Sequence, residues 1–233
     1  MENILCCKTI AHIHTDFPTK FGIPRQSGLI DTLKAQIIFE PEYRKPEAFR
    51  GLDGYSHLWL IWEFSASIRS SWFPTVRPPR LGGNQRMGVF ATRSPFRPNP
   101  LGLSCVKLEQ IALHTPQGPI LHVSGADLMD NTPIYDIKPY LPYVDSHPEA
   151  TGGFTETTQA HQLSVDFPQA LLTQVPAHLQ QALLAVLAHD PRPAYQKDPD
   201  RTYFLEFSDY EIGFTVDGTQ LTVHQVKPRT GQA

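Results

Sequence analysis

The chain has 233 residues, 40% hydrophobic and 18% charged, with 22 prolines and a formal charge of −3. These numbers describe a soluble globular protein of one large or two small domains and exclude a disordered one. No apolar run approaches the roughly 18–20 residues that a bilayer-spanning helix needs, and the net acidity argues mildly against wholesale nucleic-acid binding.

At the N-terminus, MENILCCKTIAHIHT carries an early acid, no basic leader and no long apolar core, so it does not read as a signal peptide. Cys6, Cys7 and Cys105 have no framework spacing, which points to free thiols in a reducing, cytoplasmic compartment. Strands are predicted over 3–15, 33–39, 57–64, 87–91, 104–114 and 119–126, separated by Pro- and Gly-containing loops. Strands at this density without intervening helices predict an antiparallel sheet closed into a barrel. The small, polar stretch 146–164 is a predicted linker or loop. Beyond it, residues 176–190 predict a helix, with Leu179, Ala182, Leu183, Val186 and Leu187 on one apolar face. Two further apolar stretches, 202–216 and 219–226, flank Asp217-Gly218, a hairpin signal. The expected fold is mainly β: an antiparallel β-barrel over 1–148 and a small α+β domain over 149–233.

Charge is unevenly placed. From Phe64 to Leu108 there is no acid, yet the span carries Arg69, Arg77, Arg80, Arg86, Arg93, Arg97 and Lys107. Either this is a local anion site, or the arginines pair with acids from distant strands. Within it, ATRSPFRPNP (91–100) holds Arg93 and Arg97 among three prolines, which neither a helix nor a central strand would carry. The loop FGIPRQSGLI (21–30) reads as a surface connection between strands or as a ligand loop. DLMDNTPIYDIKPYLPYVDS (127–146) combines Asp127, Asp130, Asp136 and Lys138 with Tyr135 and Tyr140. It reads as a capped turn followed by an edge strand, or as one wall of a polar ligand site. Asn131 there suits a tight turn, since Asn tolerates positive φ. Arg192, between Pro191 and Pro193 with Tyr195 and Lys197 close behind, is either a phosphate or base contact or a charge decorating the end of a helix. His12 and His14 share a strand face but have no third ligand in a motif, so no metal is expected. P-loop, Rossmann and nucleophile-elbow motifs are missing from the sequence.

Together, RPPRLGGNQRMGVFATRSPFRPNPLGLS (77–104), PRQ (24–26), GYSHLW (54–59), DNTPIYDIKPYLPYVDS (130–146) and DPRPAY (190–195) resemble the TrmO family, also called TsaA-like or YaeB-like. The resemblance spans nearly the whole chain. It implies a β-barrel that binds S-adenosylmethionine, works as a homodimer with the cofactor near the subunit interface, and acts on tRNA. The implied reaction is N6-methylation of N6-threonylcarbamoyladenosine beside the anticodon of threonine tRNA. By position it implies cofactor contacts from Pro24, Arg25, Gln26, Phe64, Ser65, Ala66, Arg93, Leu103 and the turn Ser124, Gly125, Ala126 and Asp127. The chain departs from the family where Ser65 stands for a frequent His, Asn131 for a frequent Gly and Tyr135 for an aliphatic.

For that reaction Asp136 is the expected base or orienting acceptor, because the urea-like nitrogen is a poor nucleophile until its proton is drawn away. Arg97 or Lys138 would hold the threonyl carboxylate. Arg77, Arg80, Arg86 and Arg192 would meet tRNA phosphates. Two other function classes compete: a non-catalytic RNA-binding β-barrel module, and a metal hydrolase built on His12 and His14.

Overall fold

The computed structural model describes residues 6–78, 81, 85–158, 162–192, 196 and 198–229. Strands β1 (Ala11–His14), β2 (Lys34–Phe39), β3 (His57–Glu63), β6 (Leu101–Ala112), β7 (Ile120–Ser124) and β8 (Thr132–Pro139) close into an all-antiparallel barrel in the order β1-β2-β7-β6-β3-β8. Alternation sets the inside: Leu58, Leu60 and Trp62 of β3 face Ile13, Ile37, Val106, Leu121 and Ile134 in one apolar core. Between β3 and β6 the chain makes a long excursion holding a small ribbon, β4 (Thr75–Val76) with β5 (Met87–Gly88). Long loops of this kind usually serve function.

The second sheet runs β10 (Tyr203–Phe207), β11 (Tyr210–Asp217), β12 (Gln220–Pro228) and β9 (Ser164–Asp166), with β9 parallel to β12. Short helices α1 (Pro142–Asp145) and α2 (Gln169–Leu172) precede α3 (Ala177–Ala188). Leu179, Ala182, Leu183, Val186 and Leu187 of α3, the face its periodicity predicted, are buried in a core shared with Leu205, Phe207, Ile212 and Phe214 of the sheet.

That core also takes three residues from far upstream: Phe17, Ile30 and Leu33. Phe17 meets Phe207 edge-on at 5.5 Å, and Ser208 N–H donates to the Asp16 carbonyl at 2.7 Å. A Cβ on Gly22 would stand 2.2 Å from Leu205 Cδ1, so only glycine fits there, at a φ of 88°. Residues 17–33 therefore run from β1 into the C-terminal core and return to β2.

Several elements differ from expectation. The first strand is Ala11–His14, not 3–15, and its residues up to 5 lie outside the described ones. Residues 87–91 form a two-residue strand followed by a 3-10 turn. The single apolar stretch 202–216 is two strands, β10 and β11, turning at Ser208-Asp209 with Ser208 at a φ of 51°. The following hairpin turns at Gly218-Thr219, one residue after Asp217-Gly218. The predicted linker contains a 3-10 segment, Gly153–Thr158, and ends in the first residue of β9. Within 127–146, β8 is no edge strand: it pairs with β1 on one side and β3 on the other and closes the barrel. Asn131, at a φ of 60°, makes the tight turn into it, with its N–H donating to the Ile13 carbonyl at 2.8 Å.

Candidate functional site

Where β7 stops beside β6, the loop after Gly22 takes its place. Ser27 Oγ accepts from Cys105 N–H at 3.0 Å, Gly28 N–H donates to the Gly125 carbonyl at 2.8 Å, and Gly125 N–H to the Leu33 carbonyl at 3.0 Å. Pro24, Arg25 and Gln26 are thus held from two directions, by the barrel through Ser27 and Gly28 and by the C-terminal core through Gly22 and Ile23. Arg25 reaches the Arg192 carbonyl at 3.4 Å.

Asp127 anchors this loop. Its carboxylate accepts the Ser104 hydroxyl at 2.5 Å and the backbone N–H groups of Ser27 and of its own residue. Ser104 in turn accepts Trp62 Nε1–H at 2.9 Å, so a hydrogen-bonded chain runs from the barrel interior to the loop. Burial pushes the Asp127 carboxyl above its ordinary range, outweighing those donors and the nearby Arg93 charge, all of which pull it down. Arg93, from the 91–100 loop, donates to the Gln26 side chain. Gln26, Ser27, Arg93, Ser104, Gly125 and Asp127 therefore converge from four separate stretches of chain.

Gly102 protects the arrangement. A Cβ there would lie 2.2 Å from Trp62 Cε2, inside the indole's contact distance. Gly102→Ala should displace the indole, break its bond to Ser104 and cost about 1–3 kcal/mol of stability. A thermal melt unchanged from the parent would contradict this.

Beside the cluster, Phe64–Ala66 form the turn that leaves β3. Phe64 N–H donates to the Pro100 carbonyl at 2.8 Å, the Phe64 ring lies 4.3 Å from that of Trp62, and the Ala66 carbonyl accepts Lys20 Nζ at 2.8 Å. Tyr135 is close by. Burial first, then the Glu63 carboxylate, pushes its phenol up to about 12, so it stays protonated. Ala126 is buried. Ser124 turns its hydroxyl elsewhere, donating at 2.7 Å to Glu109, which also pairs with Lys34 and Lys107. Those donors, Ser124 first, hold the Glu109 carboxyl down at about 2.

On the outer face of the sheet, Asp136, Ile61 and Leu103 stand in one row across β8, β3 and β6. Two strand spacings put Asp136 and Leu103 roughly 10 Å apart. Leu103 is 54% exposed. Asp136 is ion-paired with Lys138 at 2.9 Å and accepts its neighbour Ile137 N–H. Arg97 points into its own loop, donating to the Thr92 carbonyl at 2.6 Å and the Val89 carbonyl at 3.4 Å. Arg86 donates to Thr75 Oγ1 across the β4–β5 ribbon, and Arg77 is exposed one residue past β4. Arg80, Tyr195 and Lys197 lie outside the described residues. Arg192 is largely buried in a two-pronged pair with Asp190, at 2.8 and 3.0 Å. His12 and His14 each contact a carboxylate, Glu40 at 2.9 Å and Asp130 at 3.3 Å, and among the described residues no group of three metal-ligating side chains assembles.

Sequence reasoning missed Trp62 and Gly102, and it weighed Ser27 and Ser104, with Ser94, only as nucleophiles lacking an elbow motif. The signal for Ser104 was a serine between Gly102 and Val106 at the buried, inward positions of β6.

Comparison with known proteins matches the tRNA-methyltransferase O N-terminal domain to residues 12–146 and the TrmO C-terminal domain to residues 160–229. The tRNA (adenine(37)-N6)-methyltransferase of Escherichia coli K12 is 40% identical over 228 residues, covering 94% of this chain and 97% of that protein. A putative S-adenosylmethionine-dependent methyltransferase, RcsF, of Pseudomonas aeruginosa is 38% identical, covering 87% and 89% of the two chains. A crystal structure of TrmO from Pseudomonas aeruginosa superposes with a TM-score of 0.79 at 30% identity, covering 98% of this chain and 99% of that one.

Proposed function

Because the chain belongs to the TrmO family, we propose that it is an S-adenosylmethionine-dependent tRNA (adenine(37)-N6)-methyltransferase whose substrate is N6-threonylcarbamoyladenosine in threonine tRNA. The observation that carries this reading is the convergence of the 22–28 loop, Arg93 and the Ser104–Asp127 pair at one end of a closed barrel. The alternative of a non-catalytic RNA-binding barrel gives no reason for a buried carboxylate to be wired to that loop.

The residues fit the cofactor. S-Adenosylmethionine carries a carboxylate, an ammonium, a ribose diol and an aromatic base, and its sulfonium supplies an electrophilic methyl group. Arg93 offers a guanidinium to a carboxylate, the Gln26 amide and the Phe64–Ala66 backbone offer hydrogen bonds, and exposed Leu103 offers an apolar face. Asp127 holds the 24–27 backbone in place. Pro24, Arg25, Ser124, Gly125 and Ala126 belong to the same proposed pocket, Ser124 through its backbone.

The acceptor nitrogen is part of a urea, so its lone pair is delocalised. Asp136 is proposed to accept or orient its proton, with the adjacent Lys138 paired to that carboxylate at 2.9 Å. Arg97 braces the 89–97 loop through its carbonyl contacts, and its charge, in a stretch devoid of acids, favours the threonyl carboxylate. Arg77, Arg80 and Arg86 are proposed to meet tRNA phosphates. Arg192 braces the 190–192 turn through Asp190 instead of joining them.

The proposed division into a barrel over 1–148 and an α+β unit over 149–233, a cytoplasmic homodimer and a cofactor near its interface complete the reading. Leu101 and Leu103 on β6 offer apolar surface for such an interface.

Calorimetry with S-adenosylmethionine, followed by mass analysis of threonine tRNA with and without the threonylcarbamoyl group, tests it. A gain of one CH₂ only on the modified tRNA is expected. No cofactor binding would refute the methyltransferase reading, and cofactor binding with no gain would point to another acceptor. If three arginines meet phosphates, a fourfold rise in salt should weaken tRNA binding about twenty- to forty-fold. A salt-independent affinity would remove the arginines from that role.

A further inference from the structure

The excursion between β3 and β6 exposes aromatic rings that the cofactor site does not use. Trp72 is 47% exposed, Phe73 58% and Phe90 73%. Trp72 and Phe90 come from the two sides of the β4–β5 ribbon, joined by Val89 N–H donating to the Pro74 carbonyl at 2.9 Å. Their rings lie 6.3 Å apart and 35° from parallel. Arginines border them: Arg97 stands 6.0 Å over the Phe90 ring, Arg69 stands 3.5 Å over Phe96, and Arg86 is tied to Thr75. The same 89–97 stretch contains Arg93, which touches the cofactor loop at Gln26. Solvent-facing aromatics stand among arginines on a stretch of chain that carries no acid from Phe64 to Leu108.

We infer that Trp72 and Phe90 form a stacking platform for unpaired bases of an RNA loop, next to the site where the methyl group is transferred. This rests on the tRNA reading above and deepens it: arginines facing phosphates accept any RNA, whereas exposed ring faces select bases free of a helix. Charge argues against a second copy of this chain as the occupant. In a two-fold interface each patch meets itself, and this one would set arginine against arginine with no acid from the 64–108 stretch to offset them.

The test uses the full-length protein, a hairpin RNA with an open loop, and a blunt RNA duplex with the same number of phosphates. Trp72→Ala and Phe90→Ala should each weaken hairpin binding about ten-fold. Duplex binding, S-adenosylmethionine affinity and oligomeric state should stay as in the parent. Trp72→Phe, which keeps a ring, should restore most of the loss. Equal weakening on hairpin and duplex, or none on the hairpin, overturns the platform. So does a change of oligomeric state, which would make the patch an interface between copies. If the unsubstituted protein binds neither RNA, the tRNA reading itself fails. If it binds the hairpin and the alanine variants bind equally well, only the platform fails.

Discussion

Asp127→Asn is expected to weaken S-adenosylmethionine binding about 10- to 100-fold while leaving the fold at neutral pH at least as stable as the parent. The first half follows from what the carboxylate holds. It accepts the Ser27 N–H and the Ser104 hydroxyl and sits in the field of Arg93. A charged acceptor makes these bonds worth about 1.5–3 kcal/mol, roughly twice their neutral strength. An amide loosens the 24–27 backbone and leaves Arg93 without its nearby negative charge. The second half follows from burial. In the folded chain the carboxyl holds its proton more tightly than the ordinary value of 3.8, so the folded state binds more protons than the unfolded one. Its contribution to stability therefore falls as pH rises from near 3.8 through the raised value, and stays low above it. The Asn variant lacks that loss. Calorimetric titration and melts at acid and neutral pH read both halves. Parental cofactor affinity would reduce Asp127 to a structural acid.

Phe17→Ala should cost about 3–5 kcal/mol, the usual toll of deleting a fully buried aromatic ring. It should also lower cofactor affinity, although the ring touches no proposed cofactor contact. Phe17 is 1% exposed, packs on Phe207 and begins the stretch that carries Pro24, Arg25 and Gln26. Without it, that stretch keeps its barrel bonds at Ser27 and Gly28 but loses its seat in the C-terminal core. Leu183→Ala is the control: it is equally buried in the same core, on α3. Similar destabilisation with a smaller effect on cofactor affinity is expected. Equal loss of affinity in the two variants would mean that unfolding alone explains both.

The contrast between these residues shows what the sequence makes legible. Alternation in HLWLIWEF and the apolar stripe of 176–190 are local signals, and β3 and α3 stand where they were read. The strand β8 was obscured because only its inward residues, Thr132 and Ile134, are buried, while Pro133, Asp136, Lys138 and Pro139 make its other positions look like a loop. Its pairing with β1 joins residues some 120 positions apart, which no short window contains. The turn at Ser208 lacks the glycine that normally signals positive φ. For the site, Arg93 and Gln26 were legible as rigid polar loop residues, and the structure joins them. Ser27 and Ser104 were not, because their importance lies in partners from other strands. Arg192 looked like a surface cation because nothing in the order of residues reveals a two-pronged bond to Asp190.

The path of residues 17–33 through both cores makes the C-terminal unit more than a neighbour of the barrel. Whatever grips Pro24–Gln26 also tightens a segment whose Phe17, Ile30 and Leu33 are part of the other unit's interior. Coupling of this kind is reciprocal: if docking of the C-terminal sheet favours the ligand, the ligand favours docking by the same free energy. Saturating the cofactor site should therefore slow amide exchange in β10 and β11, strands that carry none of the proposed cofactor contacts.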